Sequence, residues 1–168
     1  LCSFFLVTCE RPWDDHYATD ESFVDRSIWE EIEANPEYAQ FKLHIEEFGL
    51  EGYFQNSDTL VSTKTLFIPS NSALQDYEDD NGEVSESLIL YHLIKSFFLL
   101  ANIDGNLKSL TQNSKFLYFE ANDGNYYVDG IEVSAFPLRF RDGIIYPMDE
   151  VLVPKPSIAE YLEENAEY

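Results

Sequence analysis

Three histidines and two cysteines are the residues of this chain whose side chains have the widest range of chemistry. The sequence contains no G-x-S-x-G, phosphate-binding glycine loop or H-E-x-x-H motif. His16, His44 and His92 are too widely separated to suggest a metal site. Among 32 Asp and Glu residues, a pair such as Asp142 and Asp149 could lie at glycosidase distance by chance. The sequence therefore predicts no enzyme, no metal and no cofactor.

The second cysteine, Cys9, ends a short apolar run, "LCSFFLVTC", that cannot span a bilayer. The three residues before Cys9 are similar to a bacterial lipobox, in which the cysteine thiol is lipidated and becomes the mature N-terminus. Thr8 departs from the Gly, Ala or Ser that is usual there. We expect residues 1–8 to be the remnant of a lipoprotein signal and Cys9 to carry the lipid. A Cys2–Cys9 disulfide and an ordinary signal tail are the alternatives.

The composition limits the partners of the protein. The chain has 10 Lys and Arg against 32 Asp and Glu, a formal net charge of -22, so most of its surface repels nucleic acid. An anionic membrane is disfavoured for the same reason, and membrane association is expected only through an N-terminal lipid anchor. Hydrophobic residues make up 45% of the 168 residues, which indicates one folded domain with a substantial core.

The elements that position these residues are predicted from spacing and caps. Ser27 and Glu30 form a capping box before a first helix, and Pro36 restarts or kinks that helix. A strand, "KTLFI", precedes a helix capped by Ser70. The sequence predicts a core that contains Phe41, Ile45, Phe48, Leu66, Phe67, Leu90, Ile145, Val151 and Leu152.

The acidic stretch Asp76–Glu83 is predicted to be a solvated loop. A calcium-binding EF-hand loop is excluded, because its first and last ligand positions would fall on Tyr77 and Leu88. A helix is expected through "SESLILYHLI", and the remaining chain alternates β-branched and aromatic runs with three Asp-Gly turns. Helices first and strands later predict an α+β fold.

Three blocks together resemble the fasciclin (FAS1) domain family over roughly residues 36 to 154. They are "TLFIPSNSAL", "LILYHLI" with its Tyr-His pair, and "VDGIEVSAFPLRFRDGIIYPMDEVLVP". In the third block the residues that match the closing pattern of the family are Gly130, Gly143, Ile145, Asp149, Val151, Leu152 and Pro154. The resemblance implies a fasciclin-like fold, with helices of the first half packed on a wedge-shaped β-sandwich formed mainly by the second half.

The resemblance also implies a candidate adhesion site, and departures from the family pattern argue against an integrin-binding site. Tyr91 and His92 occupy the Tyr-His pair, which lies near a surface linked to adhesion in some relatives, although the apolar neighbours of His92 favour a core position. Pro137-Leu138 replaces the Asp-Ile of relatives implicated in integrin binding, and Tyr146 replaces the His of the closing motif. An animal-type integrin contact is therefore not expected.

The chain ends on a near copy of an earlier segment. "SIWEEIEANPEY" begins at Ser27 and "SIAEYLEENAEY" begins 130 residues later at Ser157, with seven of twelve positions identical. Because the family domain has about this length, we expect a linker and the start of a second fasciclin-like repeat at 155–168. The alternative is a short terminal helix that docks on its own domain.

These observations predict a tether at 9–26 and a fasciclin-like domain at 27–154. The expected function is a non-catalytic, lipid-anchored protein of the bacterial cell envelope, at the outer membrane surface or in the periplasm, that binds another protein or a cell-surface glycan. A structural spacer without a ligand is the alternative, and a hydrolase is a distant one.

Overall fold

A computed structural model describes residues 23–55 and 63–164 of the chain. Six α-helices lie in these ranges: α1 (Ile28–Ala34), α2 (Ala39–Glu47), α3 (Glu51–Phe54), α4 (Asn71–Asn81), α5 (Glu86–Tyr91) and α6 (Ile158–Glu164). The eight strands are β1 (Lys64–Pro69), β2 (Leu93–Ile94), β3 (Gly105–Leu110), β4 (Phe116–Asn122), β5 (Asn125–Val128), β6 (Ile131–Val133), β7 (Leu138–Phe140) and β8 (Gly143–Met148). Seven of the eight strands belong to the second half of the chain.

The strands form two four-stranded sheets. The central sheet has the order β2-β1-β8-β7, with β1 and β8 parallel, and the outer sheet is the antiparallel series β3-β4-β5-β6. Helices cover one face of the central sheet, and the outer sheet packs on its other face. The predicted α+β fold, with helices of the first half on a β-sandwich, is confirmed.

Alternating side chains divide the core into two parts. Leu66 of β1 and Ile145 of β8 point to the helices, where they join Phe41 and Ile45 of α2. Phe67, Ile144 and Tyr146 point to the outer sheet together with Leu117 and Phe119. Every residue of β1 is buried, because this strand has a hydrophobic layer on each side. Of the predicted core residues, only Phe48 is half-buried, and it packs against the helical part.

Local signals in the sequence set many of the boundaries. The Ser27 hydroxyl accepts from the Glu30 N–H, and the Glu30 carboxylate accepts from the Ser27 N–H, so the predicted capping box is present. Ser70 caps α4 in the same way. Asp123 and Asp129 have positive φ angles and lead into glycines, which gives the β4–β5 and β5–β6 hairpin turns of the outer sheet.

A buried ion pair holds the start of β1 to the β7–β8 turn. The Lys64 ammonium lies 3.1 Å from Asp142 Oδ2 and donates to the Phe54 carbonyl at 2.7 Å. Asp142 Oδ1 accepts from the Ile28 N–H at 2.8 Å. A Cβ atom on Gly143 would lie 2.1 Å from the Lys64 carbonyl oxygen, so only glycine fits beside this pair.

The sequence-based expectations for the segments of α4 and α5 were wrong in detail. The acidic stretch after Asp76 is mostly helical, because Ser70 caps α4 and Leu74 anchors it in the core before Gly82 ends it. The helix through "SESLILYHLI" stops at Tyr91, since Leu93 and Ile94 pair with β1 instead. The last strand ends at Met148, and Val151 and Leu152 lie buried in the segment that follows it.

The structure also extends the domain toward its N-terminus. Phe23 pairs with Arg139 of β7, the Val24 N–H donates to the Arg139 carbonyl at 2.8 Å, and the Arg141 N–H donates to the Arg26 carbonyl at 3.0 Å. The last four residues of the expected tether therefore lie against the edge of the central sheet. Among the helices described, none has the length and apolar character needed to cross a membrane.

Truncating side chains of the inter-sheet core tests this architecture. Phe67 and Leu152 are fully buried, so Phe67→Ala and Leu152→Ala should each lower the free energy of unfolding by about 2 to 5 kcal/mol. Val153→Ala is a control next to Leu152, because Val153 is 49% exposed and should change stability by less than about 0.5 kcal/mol. Urea denaturation measures all three. Unchanged midpoints for both core variants would show that the strands are placed wrongly.

Candidate functional site

The Tyr-His pair lies at the end of α5, inside the protein. Tyr91 is 1% exposed and His92 is fully buried. Ser85 caps the start of α5, and the helix is short because Leu93 turns into the central sheet directly after it. The main chain therefore changes direction at His92, and the two side chains point into different parts of the core.

Tyr91 connects α5 to the outer sheet. Its hydroxyl lies 2.6 Å from Asp129 Oδ2 and 2.9 Å from the Phe116 carbonyl oxygen. Asp129 Oδ1 in turn accepts from the Tyr118 N–H at 3.1 Å. Burial, together with the Asp129 carboxylate, raises the pKa of Tyr91 well above its usual value. Tyr91 is therefore a neutral donor that fixes the β5–β6 turn against β4.

His92 connects α5 to the segment after the last strand. Its Nε2 atom accepts from the Leu152 N–H at 3.0 Å, so the ring proton resides on Nδ1 and is donated to the Leu88 carbonyl at 2.8 Å. On the side of the helices, the His92 ring is covered by an edge-to-face contact with Phe41. Burial lowers the pKa of His92 to about 4, against the opposing effect of the hydrogen bond to Leu88. The imidazole is neutral at pH 7.

The geometry thus gives both residues a structural role. Their side chains are enclosed and their polar atoms are already hydrogen-bonded within the chain, which agrees with the interpretation of His92 as a core residue. Neither side chain is itself presented to a partner. That they border an adhesion surface stays a prediction. The third predicted residue, Cys9, lies outside the described residues.

A surface that the sequence analysis missed lies on the outward face of β4. Phe116 and Tyr118 point to solvent and are 46% and 51% exposed. The alternate residues of the strand, Leu117 and Phe119, are buried. Leu110 of β3 is paired with Phe116 and is also about half exposed. The signal was present in "KFLYFEA", since an outer antiparallel strand normally alternates apolar with polar residues.

Two lysines complete this surface. The Lys108 ammonium lies 4.4 Å from the centre of the Phe116 ring, and the Lys155 ammonium lies 5.9 Å from the centre of the Tyr118 ring. Both distances are within the range of cation–π attraction. We call the five residues Lys108, Leu110, Phe116, Tyr118 and Lys155 the lysine–aromatic face.

The candidate ligands for a metal do not come together in the part of the chain that is described. His44 lies 3.3 Å from Glu78 and 3.5 Å from Glu47, but no group of three or more His, Cys, Asp or Glu side chains in residues 23–55 and 63–164 could hold an ion. Tyr146, which stands where the family motif has His, is buried and accepts from the Leu100 N–H at 2.9 Å.

The architecture and the Tyr-His pair define a fasciclin-type α+β domain. A family model for the Fasciclin domain matches residues 36–154, and the chain therefore belongs to the fasciclin family. Domains of this family are generally non-enzymatic adhesion modules. No curated protein shows significant sequence similarity to the chain.

A solved structure with the same fold is a FAS1 domain pair from the insect cell adhesion molecule Fasciclin I. The TM-score is 0.61, the sequence identity is 17%, and the alignment covers 76% of this chain. The chain spans about half of that structure, 51% of its length. At this identity the likeness concerns the fold alone.

The buried imidazole predicts a specific pH dependence. Between pH 6.5 and 4 the unfolded chain binds a proton at His92 that the folded chain does not, so acidification through this range favours unfolding. At pH 5 the wild type should have lost about 2 kcal/mol relative to pH 7.5 through this group. His92→Gln, which does not titrate, should lack this part of the slope.

Chemical denaturation at several pH values measures this difference. Tyr91→Phe is the matched control: it removes the hydroxyl of the neighbouring residue, which bonds to the Asp129 carboxylate, and should cost about 1.5 to 3 kcal/mol while it keeps the slope that His92 contributes. An identical slope for the wild type and His92→Gln would contradict the assignment of a neutral, buried imidazole.

Proposed function

We propose that this protein is a non-catalytic adhesion module that is displayed on the bacterial cell envelope and binds another protein or a cell-surface glycan. The observation that carries the proposal is the lysine–aromatic face. Phe116 and Tyr118 of β4 and Leu110 of the neighbouring β3 are each about half exposed, and β4 is paired on both sides. An exposed cluster of large apolar side chains on a rigid sheet is typical of an interaction site.

The composition of this face fits ordinary interface anatomy. Aromatic side chains contribute much of the binding free energy in protein interfaces and lose little conformational entropy when they are covered. Charged groups usually surround such a centre, and here Glu120 and Glu132 lie on the same outward side of the sheet. If the protein were a spacer without a ligand, there would be no physical reason for these apolar side chains to be exposed.

The alternative of a hydrolase has less support. A glycosidase needs a carboxylic acid whose pKa is raised so that it can donate a proton. Among the described residues the two carboxylates with clear shifts are Glu30 and Glu160, whose pKa values are lowered by hydrogen bonds from backbone N–H groups and basic side chains. These shifts favour the charged form, which is unsuitable for a general acid.

Three arguments support the proposed cellular location. Domains of this family are generally extracellular. The residues before Cys9 fit lipid attachment at its thiol, and the net charge of -22 disfavours direct contact with anionic lipid. We therefore place the domain at the outer membrane surface or in the periplasm, held by a lipid on Cys9 and the segment that follows it.

A tandem arrangement is supported by α6. Ser157 and Glu160 form the same capping box as Ser27 and Glu30, in both directions. Ile28 and Ile32 of α1 are buried, whereas Ile158 of α6 is 81% exposed. A helix with the same cap and an uncovered apolar side chain is what the first helix of a following repeat would present. A reading frame that stops after Tyr168 contradicts this part of the proposal.

Binding to a panel of immobilised extracellular proteins and polysaccharides tests the adhesive function. The full chain should bind at least one component, and Phe116→Ser with Tyr118→Ser should weaken that binding by at least tenfold, because both exposed rings are lost. The matched control is Leu43→Ser with Tyr53→Ser, which removes two exposed apolar side chains from the helical side.

Thermal unfolding is measured beside binding for both double variants. Near-native midpoints are expected, since all four side chains are substantially exposed. Absence of binding to every component would favour the spacer, and turnover of a polysaccharide would favour the hydrolase.

Lipid attachment is tested by partitioning into the Triton X-114 detergent phase after expression from the complete gene. The wild type should enter the detergent phase, and Cys9→Ala should move to the aqueous phase because the acylated thiol is lost. Cys2→Ala is the control and should behave as the wild type. Detergent partitioning that survives Cys9→Ala rejects the anchor.

A further inference from the structure

Positive charge is distributed unevenly over this acidic domain. The helical side uses its basic side chains in ion pairs, namely Arg26 with Glu31, Lys42 with Glu46, Lys64 with Asp142 and Arg141 with Glu30. Lys108 and Lys155 lie over aromatic rings instead, and neither has a carboxylate within ion-pair distance among the described residues. In a chain with 32 carboxylates, two ammonium groups without an acidic partner on one face are unexpected.

The aromatic rings hold these ammonium groups in place without neutralising them. Phe116 and Tyr118 are two residues apart on the same face of β4, so their Cα atoms are about 7 Å apart. Each ring attracts one lysine, which restricts the flexible side chain and leaves N–H donors for another group. The lysine–aromatic face therefore presents two positioned cations along one strand.

A carboxylate from the chain itself already binds beside this face. The Lys115 ammonium lies 2.7 Å from the Glu160 carboxylate of α6 and donates to the Lys155 carbonyl at 3.2 Å. This contact, with the hydrogen bonds from Ser157, lowers the pKa of Glu160 to about 2. The basic side chain directly before β4 thus pairs with a carboxylate that reaches it from α6.

A groove of about 320 Å³ continues from the face at the β3–β4 turn. Leu110 belongs to both, because it faces Phe116 across the strands and also lines the groove. The other lining groups are mostly hydroxyls, an amide and a fourth ammonium, from Lys95, Ser96, Ser109, Thr111, Gln112 and Ser114. The Thr111 hydroxyl is already hydrogen-bonded to Asn113 and to the Lys115 carbonyl. The three serine hydroxyls can each donate and accept a hydrogen bond, as the hydroxyls of a sugar do.

We propose that the lysine–aromatic face and this groove bind an anionic polysaccharide that carries carboxylates, such as a chain of uronic acids. The sugar carboxylates pair with Lys108 and Lys155, apolar sugar faces cover Leu110 and exposed ring edges, and sugar hydroxyls bond in the groove. This inference rests on the proposed adhesive function and selects the glycan among its two classes of partner.

The net charge of the domain favours a flexible polymer over an acidic folded protein. A charge of -22 repels any large anionic body that approaches over a broad area. At physiological salt the Debye length is about 8 Å, so a thin chain in contact with Lys108 and Lys155 is screened from carboxylates that lie farther away than this. A polysaccharide places its carboxylates there without bringing a second acidic surface close.

Titration of the full chain with polygalacturonate tests the proposal, with neutral dextran and poly-glutamate as comparison polymers. Binding of polygalacturonate, and not of dextran, is expected at physiological salt. Lys108→Gln and Lys155→Gln should each weaken it about tenfold, because each removes one charge-assisted contact. Lys42→Gln removes the same charge from the helical side and should leave the affinity within about twofold.

The thermal midpoints of the three lysine variants should stay near that of the wild type, since Lys108 and Lys155 are exposed and Lys42 is in a surface pair. No binding of polygalacturonate, or equal loss in Lys42→Gln, overturns the proposal. Tighter binding of poly-glutamate would replace the glycan with an acidic protein segment. If the domain binds another component of the panel and the lysine variants bind it normally, the adhesive function stands and only this inference fails.

Discussion

The buried contact between Lys64 and Asp142 is the constraint on which the layered arrangement depends. Two charges withdrawn from water are tolerated only when they are paired and their remaining hydrogen-bonding capacity is used. Here the capacity is used by the Phe54 carbonyl and the Ile28 N–H, so α1, α3, β1 and the β7–β8 turn meet at one point. Gly143 allows the strands to approach closely at this point. The central sheet and the helical layer are therefore fixed together by hydrogen-bonding requirements as well as by apolar contact.

The Tyr-His pair at the end of α5 makes a second set of hydrogen bonds between separate parts of the fold. Tyr91 reaches the outer sheet through Asp129, and His92 reaches the closing segment at Leu152. The two adjacent side chains at the end of α5 thus join this short helix to the outer sheet and to the segment after β8. Because both side chains are enclosed, the surface available for binding lies elsewhere. The hydrogen bonds of Tyr91 help to set the position of β4, and β4 presents its outward rings and the lysines over them.

Features determined by nearby residues could be predicted from the sequence, and those determined by distant partners could not. Caps at Ser27 and Ser70 and the turns at Asp123-Gly124 and Asp129-Gly130 depend on local hydrogen bonds and backbone angles, and all are present. The third expected Asp-Gly turn is displaced by one residue, to Arg141 and Asp142, because Gly143 already pairs with Phe140 as the first residue of β8. The strand at Leu93 and Ile94 was missed because its apolar residues continue a helical pattern, and only pairing with β1 makes them a strand. The lysine–aromatic face was missed because Lys155 and β4 are far apart in sequence. The interior position of Tyr91 and His92 followed from their apolar neighbours, but the hydrogen-bond partners did not.

The parallel pairing of β1 with β8 has a consequence for the order in which the chain folds. β1 is made early and its neighbour β8 comes near the end of the domain, with most of the outer sheet between them. Such pairing between distant segments is slow, because a long loop must close before the contacts form. A growing chain therefore cannot complete its central sheet until β8 has been synthesised.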